Sequence, residues 1–184
     1  LLESADVLVE NYRPGVLAKM GFTTAFLEEI NPRLICASVN GYGSTGPYVD
    51  RPSFDFIAQA MSGFMSVNGS ADGDPMRAAP PMSDMIAGLY TAFGVVTALH
   101  ARQRTGKGQN VESSLTNGLI SMMAYLSAEY LATGEIPKRT GNNHPIASPY
   151  GLFRASDGRV AVAPSNDVFV ERFLQVLNLG YLLH

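Results

Sequence analysis

Tryptophan is absent from this chain of 184 residues, cysteine occurs once, histidine three times, and only 16% of the residues are charged. A lone thiol, Cys36, cannot close an internal disulfide, and no signal-peptide pattern precedes the first strand-like segment, so a cytoplasmic setting is expected. Cys36 stands in the apolar run 34–39, where a buried structural thiol is the reading and a nucleophile is not. Basic excess is also lacking. The formal charge of −3 argues against a nucleic-acid partner, and any anionic ligand must be met by local basic residues. The longest apolar run, residues 85–99, falls short of the roughly 20 residues that a membrane span needs. Asp84 and His100 bracket it, so it reads as a core helix and no membrane partner is expected. The glycine loop 41–46 has neither the Lys-Ser/Thr ending of a phosphate loop nor the G-x-G-x-x-G spacing of a dinucleotide site. Internal repeats and low-complexity tracts are absent as well.

What the chain does have is apolar material: 46% of its residues are hydrophobic, enough for a true core. It starts at Leu1 without an initiator methionine, and its ends fall close to regular elements, so a segment of a longer protein is expected. Residues 6–10 are β-rich, and Asn11-Tyr12-Arg13-Pro14-Gly15 is a turn in which Pro14 takes the first position of a short helix. Residues 24–30 read as a helix stopped by Asn31-Pro32, and residues 34–39 as the next strand. Strand, helix, strand at this spacing predicts a parallel α/β unit. A helix over 54–65 is expected next, then a polar loop that ends at Pro80-Pro81-Met82-Ser83. The long helix 84–104 carries apolar residues around most of its circumference and is expected to be buried on most sides. A strand over 110–114, a helix over 115–131, a hairpin around Ser156-Asp157-Gly158 and a helix over 169–177 follow. The fold class is α/β: a parallel, Rossmann-like sheet core with flanking helices over residues 1–140, then a linker and the start of a smaller α+β domain over 141–184.

Few residues in this pattern carry chemistry. Taken alone, Asp84 is most simply the N-cap of the helix it opens, satisfying helix amides and favoured by the helix dipole. The same surroundings would favour its ionised form, and an ionised carboxylate in a pocket is a usable nucleophile. Arg13 and Lys19, on the turn and short helix after the first strand, read by default as solvated charges. Arg33, Arg51 and Arg77 read as surface residues. His100 lies near a helix end where its charged form suits the dipole, and a structural duty is expected there. His144 falls in a loop before Pro145.

Several segments occur together in one order: Glu10-Asn11-Tyr12-Arg13-Pro14-Gly15, Asn31-Pro32-Arg33-Leu34-Ile35, Gly41-Tyr42-Gly43-Ser44-Thr45-Gly46-Pro47-Tyr48, Ser53-Phe54-Asp55 with Ala58-Gln59-Ala60 and Gly63, and Thr105-Gly106-Lys107-Gly108-Gln109. In that order and spacing the chain resembles the class III CoA-transferases, the family of formyl-CoA transferase, carnitine CoA-transferase and α-methylacyl-CoA racemase. The resemblance implies that Asp84 attacks an acyl-CoA thioester, forming an aspartyl mixed anhydride and then an aspartyl-CoA thioester from which a second carboxylic acid takes CoA. It implies that Arg13 and Lys19 pair with CoA phosphates and that Asn11, Tyr12 and Met20 line the same slot. Coenzyme A enters as a substrate thioester; no permanent cofactor and no metal are implied. Water exclusion around Asp84 by small and apolar residues is expected. An interlocked homodimer is implied for the complete protein, and His144 falls where family members carry a substrate-covering segment.

Within the family, racemisation takes two acid/base groups on opposite faces of the substrate. The resemblance places a histidine where this chain has Phe54, and a glutamate about where it has Asn166. Neither replacement can serve as a base, which favours the transferase. The glycine loop of formyl-CoA transferase is replaced by Asn142-Asn143-His144-Pro145-Ile146-Ala147-Ser148-Pro149-Tyr150, so oxalate and formate are doubtful and larger organic acids fit better. The alternatives that stay open are the racemase and a non-catalytic truncated family member.

Overall fold

A computed structural model describes residues 1–183. Regular elements follow in the order β1 (Val7–Glu10), α1 (Val16–Lys19), α2 (Thr24–Ile30), β2 (Ile35–Asn40), α3 (Asp55–Met61), α4 (Phe64–Val67), α5 (Met82–Thr105), β3 (Asn110–Ser114), α6 (Leu115–Met122), α7 (Tyr125–Thr133), β4 (Gly151–Arg154), β5 (Arg159–Val162) and α8 (Asp167–Val176), with a final 3₁₀ turn at Gly180–Leu183. The chain divides into two compact units, one made of Leu1–Ser66 and Met76–Pro137, the other of Val67–Pro75 and Lys138–His184.

The first unit is a parallel sheet with flanking helices. Its three strands lie in the order β1-β2-β3, and β2 is central, pairing Val7 with Ile35 on one side and Cys36 with Asn110 on the other. One face of β2 is buried at Ile35 and Ala37, whereas Cys36 and Ser38 on the other are half-buried. Ile35 and Leu119 are fully buried, and each such side chain contributes about 1.5–3 kcal/mol. Against the sheet pack α5 and α6, and α3 packs on both of those helices. Their shared core is built of small residues, with Ala58, Ala87 and Leu115 in contact and Val39 beside them.

Local signals explain the element ends. Thr23 caps α2 by accepting from the Phe26 amide at 3.2 Å, and Ser114 caps α6 by accepting from the Asn117 amide at 3.3 Å. Gly106 closes α5 in the left-handed region, φ 73°, its amide donating to the Arg102 carbonyl at 2.8 Å. Gly108 is required for a different reason: a Cβ there would sit 1.9 Å from the Leu34 carbonyl oxygen. The motif Thr105 to Gln109 is thus the joint that brings the end of α5 against the start of β2. Asn31 ties the same corner, donating from Nδ2 to the Leu2 and Ala5 carbonyls at 3.0 and 2.9 Å.

The structure corrects several expectations. Pro14 precedes α1 and does not open it; Gly15, at φ 82°, occupies the cap position instead. The helix expected over 54–65 is broken between α3 and α4 at Gly63, φ 84°. The helix expected over 115–131 divides into α6 and α7 at Ala124, φ 47°. There the Met123 amide is shared between the Leu119 and Ile120 carbonyls at 3.1 and 3.3 Å, a tightened last turn that ends α6. Helix α5 is not covered on most sides: Leu89, Phe93 and Val96 are 66%, 74% and 64% exposed. Its neighbours lie on one side only, against Ser83, Ile86, Ala87, Thr91, Ala98 and Arg102. By length and composition this 24-residue helix is apolar enough to cross a membrane, yet its inner face is fitted to the sheet and carries a buried arginine.

The second unit holds the antiparallel pair β4-β5, in register from Gly151–Val162 to Arg154–Arg159. Helix α8 is capped by Asn166, whose Oδ1 accepts from the Phe169 amide at 3.0 Å. His144 lies in this unit; its Nδ1 accepts from the Ile146 and Ala147 amides at 3.2 and 3.1 Å, and its ring meets Tyr150 at 4.9 Å.

Candidate active site

Each strand of the parallel sheet delivers a segment to one place. Beyond the carboxyl end of β1 come Asn11, Tyr12 and Arg13; beyond β2, Gly41 and then Arg51 to Phe54; directly after β3, Leu115. All of these border a cleft of about 620 Å³ whose remaining wall includes Asp84 and Gly88 of α5. Crevices at the carboxyl ends of parallel strands are where open α/β sheets bind ligands, and this volume suits a small-molecule site. A cavity of about 240 Å³ beside Cys36, bordered by Glu28 and Lys107, includes none of the candidate residues. Cys36 itself is half-buried, and burial, followed by the charge of Glu28, pushes its thiol pKa up, away from nucleophilic behaviour.

The glycine loop is shaped by fixed contacts. The Gly41 carbonyl accepts from the Thr116 amide at 3.2 Å and from Thr116 Oγ1 at 2.9 Å. A Cβ on Gly41 would lie 2.5 Å from Ser53 Cβ, so glycine is what allows the loop to fold back and present residues 51–54 to the cleft. Asn40 accepts from the Gly43 amide, and Glu112 on β3 accepts from the Ser44 amide at 3.0 Å. The motif is a hydrogen-bonded shelf on the sheet.

Asp84 lies in the first turn of α5 but does not cap it. The cap position belongs to Pro81, which offers no side-chain acceptor. The amide of Ser83 donates instead to Oδ1 of Asp55, on α3, at 2.9 Å. The expected N-cap role of Asp84 is therefore overturned, because Pro80-Pro81 lets the helix begin earlier and a carboxylate from another helix does the capping. Among the described residues no hydrogen bond or ion pair engages the Asp84 carboxylate. Asp84 is exposed at the cleft in this chain, not walled off from water as expected. Its pKa is raised, first by partial burial and second by the nearby charge of Asp55. This reverses the expectation that its surroundings favour ionisation: partial desolvation and a like charge both disfavour the anion.

Of the residues singled out in the sequence, Asn11, Tyr12, Arg13 and Asp84 come together in the cleft, whereas Lys19 and Met20, at the end of α1, do not border it. Tyr12 is held at its amide by Glu10 Oε2 at 2.8 Å. Arg51, expected on the surface, borders the cleft as a second guanidinium, with its side chain over the Tyr48 ring at 4.3 Å. The signal that could have found it is its place just after the glycine loop. Phe54 also borders the cleft and is 78% exposed.

Comparison with known proteins agrees with this architecture. The family model described as CoA-transferase family III matches residues 1–184. The chain is 40% identical over 178 residues to an acetyl-CoA:oxalate CoA-transferase of Acetobacter aceti, covering 96% of this chain and 46% of that protein. It is 38% identical over 180 residues to a succinate–glutarate CoA-transferase of Agrobacterium fabrum, covering 98% and 45%. A crystal structure of a CAIB/BAIF family protein from Brucella suis superposes with a TM-score of 0.84 at 38% identity, over 98% of this chain and 48% of that one. The chain thus spans about half the length of the relatives it matches.

Proposed function

Because the chain belongs to CoA-transferase family III, we propose that the protein containing it moves CoA from an acyl-CoA thioester to a carboxylic acid, with Asp84 as the nucleophile. The observation that carries this reading is an unengaged carboxylate in a cleft at the strand ends that also holds Asn11, Tyr12 and Arg13. The Asp84 carboxylate attacks the thioester carbonyl, breaking the C–S bond and releasing CoA thiolate, which leaves an acyl-aspartyl anhydride. The thiolate returns to the aspartyl carbonyl and expels the donor's carboxylate, giving an aspartyl-CoA thioester. The acceptor carboxylate then attacks that thioester, expelling CoA thiolate and forming a second mixed anhydride, and the thiolate attacks the acceptor's carbonyl to give the new acyl-CoA and release the Asp84 carboxylate. Each exchange is isoelectronic and needs no redox partner. Dividing the reaction this way is the gain of covalent catalysis.

Arg13 is positioned to pair with phosphate or carboxylate groups in the cleft. Lys19 and Met20, outside the cleft, suit the nucleotide end, since CoA is long enough to leave the pocket. Racemisation needs a second base on the opposite side of the substrate, and the described cleft residues include no histidine, lysine, glutamate or second aspartate, with Phe54 where the racemase histidine is implied. The acceptor class is a small dicarboxylic acid; the two named relatives differ in theirs, oxalate and glutarate, so similarity does not choose between them. A homodimer with its partner on the exposed Leu89, Phe93 and Val96 of α5 fits the reading, as does a cytoplasmic setting with the single thiol reduced.

The test is intact-protein mass spectrometry of the full-length enzyme, quenched during turnover with acetyl-CoA or succinyl-CoA and a panel of dicarboxylic acids. An adduct on the peptide of Asp84, lost together with CoA exchange in Asp84→Asn, is the expected result. Turnover by Asp84→Asn overturns the reading.

A further inference from the structure

We propose that Asp55 is the positioning residue for Asp84, a carboxylate on α3 that holds the first turn of α5 and with it the nucleophile of the preceding section, on whose reading this inference rests. The geometry is specific. Two consecutive prolines, Pro80 and Pro81, lead into α5, so the helix arrives with no capping side chain of its own. Its first amides must find acceptors elsewhere. Met82 donates to the Pro80 carbonyl at 2.8 Å and Met85 to the Pro81 carbonyl at 3.1 Å. Ser83 has neither option, and both its amide and its Oγ donate to Asp55 Oδ1 at 2.9 Å.

The second carboxylate oxygen is also in use. Asp55 Oδ2 accepts from Gln59 Nε2 at 2.7 Å, and Gln59 Oε1 accepts from the Ala78 amide at 2.8 Å. Gln59 and Ser83 are both fully buried. One face of α3 therefore grips the chain twice, at Ala78 in the approach to α5 and at Ser83 in its first turn. Asp84 is the next residue, and its side chain goes where that turn goes. A buried donor pair that loses its acceptor cannot turn to water, so the turn must shift or fray.

Position and charge are joined in this arrangement. From the elements packed on α5, the ionisable side chains are Cys36 on β2, Glu112 on β3 and Asp55 on α3, with none on α6, and Arg13 and Arg51 border the cleft. Among these, Asp55 is the one whose charge acts on Asp84. Asp55 both holds the turn that carries the nucleophile and, second to burial, raises its pKa.

Two substitutions in the full-length protein separate these effects. Asp55→Ala removes the acceptor and the charge. Exchange of the Ser83 amide with deuterated water should then accelerate about tenfold, the size of a lost cap, and kcat should fall by at least that factor while KM for the acyl-CoA changes less than about twofold, the pattern of a displaced reacting group. Asp55→Asn keeps an acceptor for Ser83 and removes the charge, together with the acceptor that Gln59 Nε2 uses. Ser83 protection should persist, while the carboxyl ¹³C titration of Asp84 and the acid limb of kcat/KM both move to lower pH. Unchanged Ser83 exchange in Asp55→Ala, or an unmoved Asp84 titration in Asp55→Asn, overturns the proposal. Should Asp55→Ala fail to fold, the Asp55→Asn titration decides. Turnover in Asp84→Asn would end the nucleophile reading, yet Ser83 exchange and Asp84 titration, which need no activity, would still judge Asp55.

Discussion

Arg102 offers a quantitative test of how α5 is joined to the sheet. Its side chain is 10% exposed, and Nη2 donates to Asp6 Oδ1 at 2.6 Å while Nη1 donates to the Arg33 carbonyl at 2.9 Å. The two bonds look equivalent, but their surroundings differ. The Asp6 side chain is 74% exposed, so water and salt screen the ion pair, and a pair of this kind contributes about 0.2–1 kcal/mol. The Arg33 carbonyl has a charged donor, a bond that contributes about 1.5–3 kcal/mol. Asp6→Asn should therefore cost less than about 1 kcal/mol. Arg102→Met keeps most of the apolar stem and removes every donor, so it should cost about 2–4 kcal/mol, the sum of both terms. The double variant should cost about as much as Arg102→Met alone, because the ion pair can be lost only once. Urea unfolding of the full-length protein, read from the midpoint at constant slope, measures all three. A loss in Asp6→Asn equal to that in Arg102→Met would refute the reasoning, since the exposed ion pair would then be the main tie.

Activity should vanish with acid as Asp84 takes up a proton, and the raised pKa places that loss at higher pH than for an ordinary aspartate; a pH–rate profile without an acid limb above the free-aspartate range counts against it. The same shift has a sign for stability. A carboxyl whose folded pKa lies above its unfolded value favours folding less once ionised, so Asp84→Asn at neutral pH should leave the unfolding midpoint unchanged or raised, and a large loss of stability would contradict this. Gly108→Ala drives a methyl group to 1.9 Å from a backbone oxygen that cannot step aside, and a loss of at least about 3 kcal/mol is expected by denaturant unfolding. Arg13→Ala should weaken binding of CoA esters about tenfold. Lys19→Ala should weaken CoA esters and leave pantetheine esters, which lack the nucleotide, unaffected; equal effects on both ligands would remove Lys19 from the nucleotide end.

Much of this was legible locally. Asn31-Pro32 ending α2 and the apolar run of β2 act within a few residues of themselves, and those two elements stand within a residue of where the sequence places them. Asn166 reads the same way once its position is seen: it is the cap of α8. Errors arose where distant groups meet. Asp before an apolar helix usually caps it, and nothing near Asp84 in the sequence reveals that Asp55, 28 residues before Ser83, takes that duty. Arg51 is exposed, as expected, but an isolated arginine carries no mark of the cleft it borders. The exposed Leu89, Phe93 and Val96 show the same limit, since apolar periodicity records that a face prefers cover and not whether this chain supplies it.

By itself, then, the sequence determined the order of elements, the parallel α/β character and the membership that its spaced motifs signal, because helix periodicity, strand patterning and glycine or proline stereochemistry are properties of neighbours along the chain. Tertiary structure alone decided which side chains share the cleft, that another helix's carboxylate holds the first turn of α5, and that burial and a like charge raise the pKa of Asp84. Those outcomes depend on distances between residues far apart in sequence, and electrostatics and hydrogen bonding act through such distances only after the strands have paired and brought their ends together.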